Sequence, residues 1–546
     1  MRHDAIVVGA GHQGLVAAVR LARAGWRTIV VERNDRPGGA VMSAEITRPG
    51  FVHDLFSTNQ NLFLASPLYA ELHTELERHG LRYAVSAKPY ANAFPCGGSL
   101  RVYQDAERTM ASLRAHDAGD AEGWEALGRL FARFSPALFA LYSAPLPSWR
   151  SAREALGASR RLRRDGLYEL VRLLLSSTRE LGDAYFASRE AKAMLACWGM
   201  HLDFGPDVSG GAMFPFLEAF ADQAGGMAVV EGGASRMIDA LVGLLRESGG
   251  ELWTGAEVTQ IEVAGGRARG VELAGGERLE AQRAIIASVT PTALFGRLLD
   301  GREVPARTLE EARRYRYGPG TMMLHLALDG AVPWAAGGDL DEFAYVHVAP
   351  YVEELAATYT EAMNGLLPAD PMLVVGQTSA VDPSRAPTGR HVLWVQVRAL
   401  PAEIRGDAAG AIEARTWREA AEPMAERVMA KLERYAPGLG DRVLERAVLT
   451  PADLERHDPN LVGGDSLAGS MHLRQNFLLR PFPGSAGHRT PVKGLYLCGA
   501  STWPGPGVNG LSGDHAASRA LADAAPPAAA ALRRRRRRRD GRLLDI

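Results

Sequence analysis

Residues Asp4–Gly39 read DAIVVGAGHQGLVAAVRLARAGWRTIVVERNDRPGG, and this stretch decides the fold. Ala5-Ile6-Val7-Val8 is an uninterrupted apolar run, the mark of a buried strand. Gly9, Gly11 and Gly14 follow as G-x-G-x-x-G at the turn into a helix. The first two glycines allow a tight turn and close approach of a pyrophosphate, and the third lets the helix pack on the strand. The helix N-terminus adds free N–H donors and partial positive charge, so a diphosphate is held there without a basic side chain. A second strand, Arg27 to Val31, ends at Glu32. That carboxylate can accept hydrogen bonds from ribose 2′ and 3′ hydroxyls and would repel a 2′-phosphate, which argues against NADP. Strand, turn, helix and acid at these distances predict dinucleotide binding.

Working outward, Arg33–Gly39 (RNDRPGG) follows the acid directly. Gly38-Gly39 offers bare backbone near the same diphosphate, for which a plain NAD site has no need; the alternative is an ordinary Pro-Gly turn. At the other end of the chain, residues 494–521 read GLYLCGASTWPGPGVNGLSGDHAASRAL. Leu495–Cys498 is a predicted strand broken by Gly499, followed by a Gly/Pro-rich loop and a helix starting near Gly513. Backbone donors and a helix N-terminus again face one point, where negative charge can gather. Asp514 reads either as a partner for a ligand hydroxyl or as an N-cap.

These two segments, with Val230–Arg236 (VEGGASR), Arg480-Pro481 and Arg489-Thr490-Pro491, resemble the phytoene desaturase family of FAD-dependent oxidoreductases, especially its carotenoid/retinoid-oxidoreductase-like branch. The N-terminal fingerprint is similar to that of the wider amine oxidase superfamily. The resemblance runs from about residue 4 to residue 522. It implies an α/β fold: a Rossmann-like FAD-binding domain of the glutathione-reductase/amine-oxidase type, built from discontinuous segments, plus an α+β substrate domain. The implied FAD contacts are Gly9, Gly11, Gly14, Glu32, Arg33, Gly38, Gly39, Val258, Gly499, Ala500, Gly507, Val508 and Asn509. Gln13 occupies a position that is often Asn in this branch.

The resemblance also implies the chemistry: hydride passes from a largely apolar substrate to flavin N5. Only one complete G-x-G-x-x-G unit is present, so electrons are expected to leave to oxygen, a quinone or another acceptor. Two alternatives stay open. One is a flavin-dependent isomerase or saturase of a polyene or lipid, which net redox turnover would separate from a dehydrogenase. The other is a non-enzymatic prenyl- or lipid-binding protein of the same fold. No catalytic base is assigned; His12, His53, His201, His325 and His472 are the candidates that titrate near neutral pH.

The segments expected for the FAD domain are 1–85, 226–300 and 451–524, and those for the substrate domain are 86–225 and 301–450. Residues 105–225 read as mostly helical. Within them, over residues 149–177, Arg150, Arg153, Arg160, Arg161, Arg163 and Arg164 stand beside an apolar stripe, which fits either a membrane-surface helix or a roof over a cavity. Strands are predicted at 258–263, 268–273 and 284–287, split by the hairpin signals Gly265-Gly266 and Gly275-Gly276. Further strands are expected at 321–328, 372–377 and 391–398, with a helix over 416–435.

At 546 residues, two domains are the natural expectation. The three cysteines, Cys96, Cys197 and Cys498, form no C-x-x-C, which removes a redox disulfide and the usual zinc sites. Cys498 is nonetheless a candidate for covalent flavin attachment. No metal is expected. The first strand begins by residue 5 and no apolar run reaches a membrane-spanning length, so a cytoplasmic location is expected. Net charge is −1, but Arg533–Arg539 is an all-arginine run following an Ala/Pro-rich link. It reads as a disordered tail over 525–546, and contact with an anionic membrane is a sharper reading of it. Basic residues are not interleaved with base-stacking aromatics, so nucleic acid is not expected.

Overall fold

The computed structural model describes residues 2–525 except Cys96, Gly338 and Pro350. The arginine run and Cys96 lie outside the described residues. Two seven-stranded sheets organise the chain. The first takes its strands from three distant stretches, in the order Val258–Ala264, Arg267–Leu273, Arg278–Ala287, Arg2–Val8, Thr28–Val31 and Glu251–Trp253, with Leu495–Leu497 parallel to Arg278–Ala287. Arg2–Val8 pairs in parallel on both sides, with Val7 opposite Ile286 and Val30. That explains the run of apolar residues: both faces of the strand are covered.

Helix His12–Arg23 packs beside Ser235–Glu247 and Leu511–Ala524. The last of these comes so close that a Cβ on Gly513 would stand 1.9 Å from the Gln13 carbonyl oxygen. The two ends of the sequence are therefore pressed together. This helix begins at Leu511 with Gly510 as its cap, two residues before the expected start.

The second sheet runs Val443–Leu449, Gly320–Leu328, His391–Leu400, Met372–Gly376, Tyr345–Val348, Tyr90–Ala93 and Ser99–Val102. Helices spanning 106–225 cover it. Their starts follow from side-chain caps: Asp105, Asp117, Ser148, Ser177 and Ser188 each accept bonds from first-turn N–H groups. The long helix Trp149–Leu175 is divided at Arg163, where φ is 58°. Thr416 is the cap of helix Trp417–Tyr435 and not its first residue. Residues 51–80 form a short strand at His53–Asp54 followed by helices Asn61–Leu64 and Pro67–Arg78.

Outside the two large sheets, Tyr83–Ser86 pairs antiparallel with Met227–Val230, and a buried ion cluster ties the halves together. Beside them, the fully buried Arg385 guanidinium binds both oxygens of Asp54, Oδ2 of Asp382 and the Val230 carbonyl.

Candidate cofactor and substrate cavity

A cavity of about 640 Å³ runs from the N-terminal glycine turn into the second half of the molecule. Gly11, Gly38, Gly39, Gly499, Ala500, Gly507 and Val508 line it; Gly9, Gly14, Glu32, Arg33, Val258 and Asn509 do not. The two groups do different work. Gly9 bends the chain with φ +97°, and a Cβ on Gly14 would meet its carbonyl oxygen at 2.1 Å, so these two build the turn. A Cβ on Gly11 would meet nothing within 4 Å: its bare face looks into open space. The helix behind it has no side-chain cap and no acid in its first turn, leaving its N–H donors and positive end for an anion.

Glu32 is buried, and its carboxylate is held by the N–H groups of Ala10 (2.8 Å) and Asn34 (2.9 Å). Burial pushes its pKa up against these two donors. Lone pairs remain for ribose hydroxyls. The backbone just before Val258 is tied to the same place, with Gly255 and Ala256 donating to the Asn34 and Glu32 carbonyls. Val258 itself packs in a strand core and pairs with Leu273. Arg33 is exposed and turns away, donating to the Arg456 carbonyl.

At the other end of the chain, the Asn509 amide is spent inside the protein. Its Oδ1 accepts from Leu511 N–H and the Gln13 amide, and its Nδ2 donates to the Tyr142 hydroxyl and the Gly507 carbonyl. Gln13, expected only as a minor departure, clamps the two ends: its Oε1 accepts from Gly513 N–H at 2.9 Å. Arg480 is fully buried and donates twice to the Ala500 carbonyl, at 2.7 and 3.1 Å, fixing the loop from below. Asp514 is not the cap of its helix, a place Gly510 takes, and its Oδ1 is held by Arg20 in an ion pair at 2.6 Å. Cys498 is buried in the core behind the loop, away from the cavity lining, and burial pushes its thiol up to about 12; this does not favour covalent attachment.

Of the histidine candidates, only His12 and His201 line the cavity. Burial pushes His12 down to about 4, and His201, bonded to His347 at 3.1 Å, is also pushed down. His53 and His325 meet edge to face elsewhere, and His472 binds the Asp203 carbonyl. Ionisable groups in the cavity wall that the sequence reading missed include Glu218, Asp222, Arg398 and Asp458. The signal of the first two was present: two acids four residues apart in the otherwise apolar helix Met213–Gly225, MFPFLEAFADQAG.

The residues present fit a flavin dinucleotide: a bare glycine face, an uncapped helix start, a buried acid at the end of the second strand and a second glycine loop lining the same cavity. A family model for flavin containing amine oxidoreductases matches residues 14–521. The chain belongs to that family. Its relatives include "Pyridine nucleotide-disulfide oxidoreductase domain-containing protein 2" of Rattus norvegicus, 29% identical, covering 95% of this chain and 94% of that one. A limonene dehydrogenase component of Castellaniella defragrans is 27% identical, with coverage of 95% and 94%. A neurosporene-forming phytoene desaturase of Rhodobacter capsulatus is 28% identical, covering 96% and 94%. Among solved structures, an oxidoreductase from Methanosarcina mazei superposes with TM-score 0.59 at 17% identity, covering 95% and 100%. Cyclohexylamine oxidase of Brevibacterium oxydans gives 0.55 at 17%, covering 95% and 99%. These two likenesses concern the fold. The protein is thus an FAD-dependent oxidoreductase of the α/β flavin amine oxidoreductase fold. Among the described residues, no helix of this oxidoreductase is long and apolar enough to cross a membrane.

Proposed function

We propose that this chain dehydrogenates a substrate with a largely apolar body, in the manner of the desaturases it resembles. FAD would be held by Gly11, Gly38, Gly39, Glu32, Gly499, Ala500, Gly507 and Val508, in a domain formed by 1–85, 226–300 and 451–524. Bound FAD supplies a hydride acceptor. The chain's own task is to bind the substrate against the loop at Gly499–Val508 and exclude water. The observation that carries this reading is continuity: the glycine clasp opens without a wall into a chamber edged by Leu217, Met323, Trp394 and Phe477.

The test is the absorbance of the purified protein, before and after anaerobic addition of limonene, phytoene in detergent and n-octylamine. Flavin bands bleached by one of these would establish dehydrogenation and its substrate. Product formed with the colour intact would favour isomerisation. A colourless protein that takes up no FAD would overturn the reading. Re-oxidation of the bleached enzyme by air or by a quinone would identify the acceptor, which we propose to be one of the two.

We further propose peripheral contact with an anionic membrane. Helix Trp149–Leu175 supports this, because Trp149 (84%), Tyr168 (61%) and Val171 (50%) are exposed beside the exposed Arg150, Arg153, Arg160 and Arg164. Co-sedimentation with phosphatidylglycerol vesicles but not phosphatidylcholine vesicles, lost in W149E/V171E, is the expected result.

A further inference from the structure

Glu218 and Asp222 stand one helical turn apart on Met213–Gly225, and both face the cavity. Asp222 is 2% exposed. Its Oδ1 accepts from Asn61 at 2.6 Å, while no well-formed hydrogen bond reaches Oδ2, the Asn59 side chain being the other polar group acting on the carboxyl. Asn61 has nothing left to give, since its amide also donates to the Gly226 carbonyl and accepts from Ala228 N–H. Glu218 is half-buried and makes no side-chain hydrogen bond among the described residues. Arg398, the cation facing it, donates instead to the hydroxyls of Thr321 and Ser466 and to the carbonyls of Met200 and His201. Burial, with Asp222 adding repulsion, pushes Glu218 up to about 8. Burial pushes Asp222 up to about 7, against the pull of Asn61 and Asn59. The other titratable groups around the pair are Tyr90, Tyr142 and Tyr345, all raised above their ordinary range by burial.

A pure hydrocarbon filling this chamber would strip water from both carboxyl groups and return no hydrogen bond. Leaving such groups dry and unpaired is among the costliest arrangements a binding site can adopt. A ligand that brings a donor removes that cost, and a site of this kind rejects the analogue lacking the donor.

We infer that Glu218 and Asp222 form the recognition point for a hydrogen-bond-donating group, hydroxyl or ammonium, on an otherwise apolar substrate. The inference deepens the proposed function by narrowing its substrate class, and it rests on that reading for calling the ligand a substrate. Trp394 in the cavity wall provides a readout independent of the flavin.

The test titrates the FAD-loaded protein with n-hexane, 1-hexanol and n-hexylammonium, following tryptophan fluorescence. Wild type is expected to bind at least one donor-bearing probe about tenfold or more tighter than hexane. Glu218→Leu should lose that preference and gain affinity for hexane. Glu218→Gln should keep hexanol and lose hexylammonium, which separates the two donor types. Flavin content and melting temperature establish that each variant is folded, and Asp222→Asn provides a second variant if Glu218→Leu is not. Hexane binding as tightly as both donors in wild type, or preferences unchanged in the variants, would overturn the inference. Absence of flavin from a folded, probe-binding protein would instead sink the functional reading and leave the recognition point standing.

Discussion

The two ends of the cavity are built from different materials. The end proposed to hold the cofactor is backbone: Gly11, Gly38, Gly39, Gly499 and Gly507 present bare main chain, and the charge available there to a diphosphate is that of a helix end. The far end is side chain: Glu218, Asp222, Arg398, Tyr345 and Trp394, contributed by a helix and strands of the second sheet's half. A backbone site needs particular residues at fixed spacings along the chain. A side-chain site needs only that distant residues converge. The first kind leaves a motif behind and the second does not, so one fold can keep its cofactor while its substrate changes.

The largest effect is expected where the two ends are joined. Arg385→Met leaves Asp54 and Asp382 buried without their cation, and should cost about 3–5 kcal/mol in urea unfolding. Burial works to raise the Asp54 pKa, but Arg385, Ala234 N–H and the Ser43 hydroxyl outweigh it and hold it below the ordinary carboxylate value. Its stabilising contribution is therefore complete above the unfolded value near 3.8 and lost as pH falls through the lower folded one. Wild type should accordingly lose stability in that acid window, and Asp54→Asn should show a flatter profile there.

Within the cofactor end, Gly14 and Gly11 should separate architecture from recognition. Gly14→Ala drives a methyl into the Gly9 carbonyl, and a loss of about 3 kcal/mol with most of the bound flavin is expected. Gly11→Ala, at φ −66° with open space beyond, should melt within about 0.5 kcal/mol of wild type yet bind FAD at least about tenfold more weakly. Equal damage from both would break the distinction.

A smaller pair sits at the ribose end. Glu32→Ala should weaken FAD binding by about 10–100-fold, as loss of a charged hydrogen-bonding partner does. Arg33→Ala should change it less than about twofold, because that side chain is exposed and directed to Arg456. Fluorescence titration of the deflavinated protein measures both.

Much of the first sheet was legible. The apolar runs at 5–8 and 284–287 and the hairpin glycines at 265–266 and 275–276 are local signals, and the strands formed around them. Legibility failed where a residue's role depends on who arrives beside it. Asp514 looks like a helix cap, yet Gly510 takes that place and Arg20 reaches the acid from the first helix. Gln13 looks like a substitution until Gly513 and Asn509 come from the far end of the chain. His53 and His325 look titratable until burial takes their charge away, with repulsion from His325 adding to the effect at His53.

By itself, the sequence determined a glycine turn between strand and helix and a second glycine loop near the chain's far end, because each is a requirement on backbone conformation met by adjacent residues. Only the tertiary structure decided which groups stand in the chamber beyond. Desolvation of Glu218 and Asp222, the neutral partners of Arg398 and the closure of one chain end on the other arise from contacts between residues hundreds of positions apart. No local pattern records such contacts, because their energies depend on burial and partnership in the folded state.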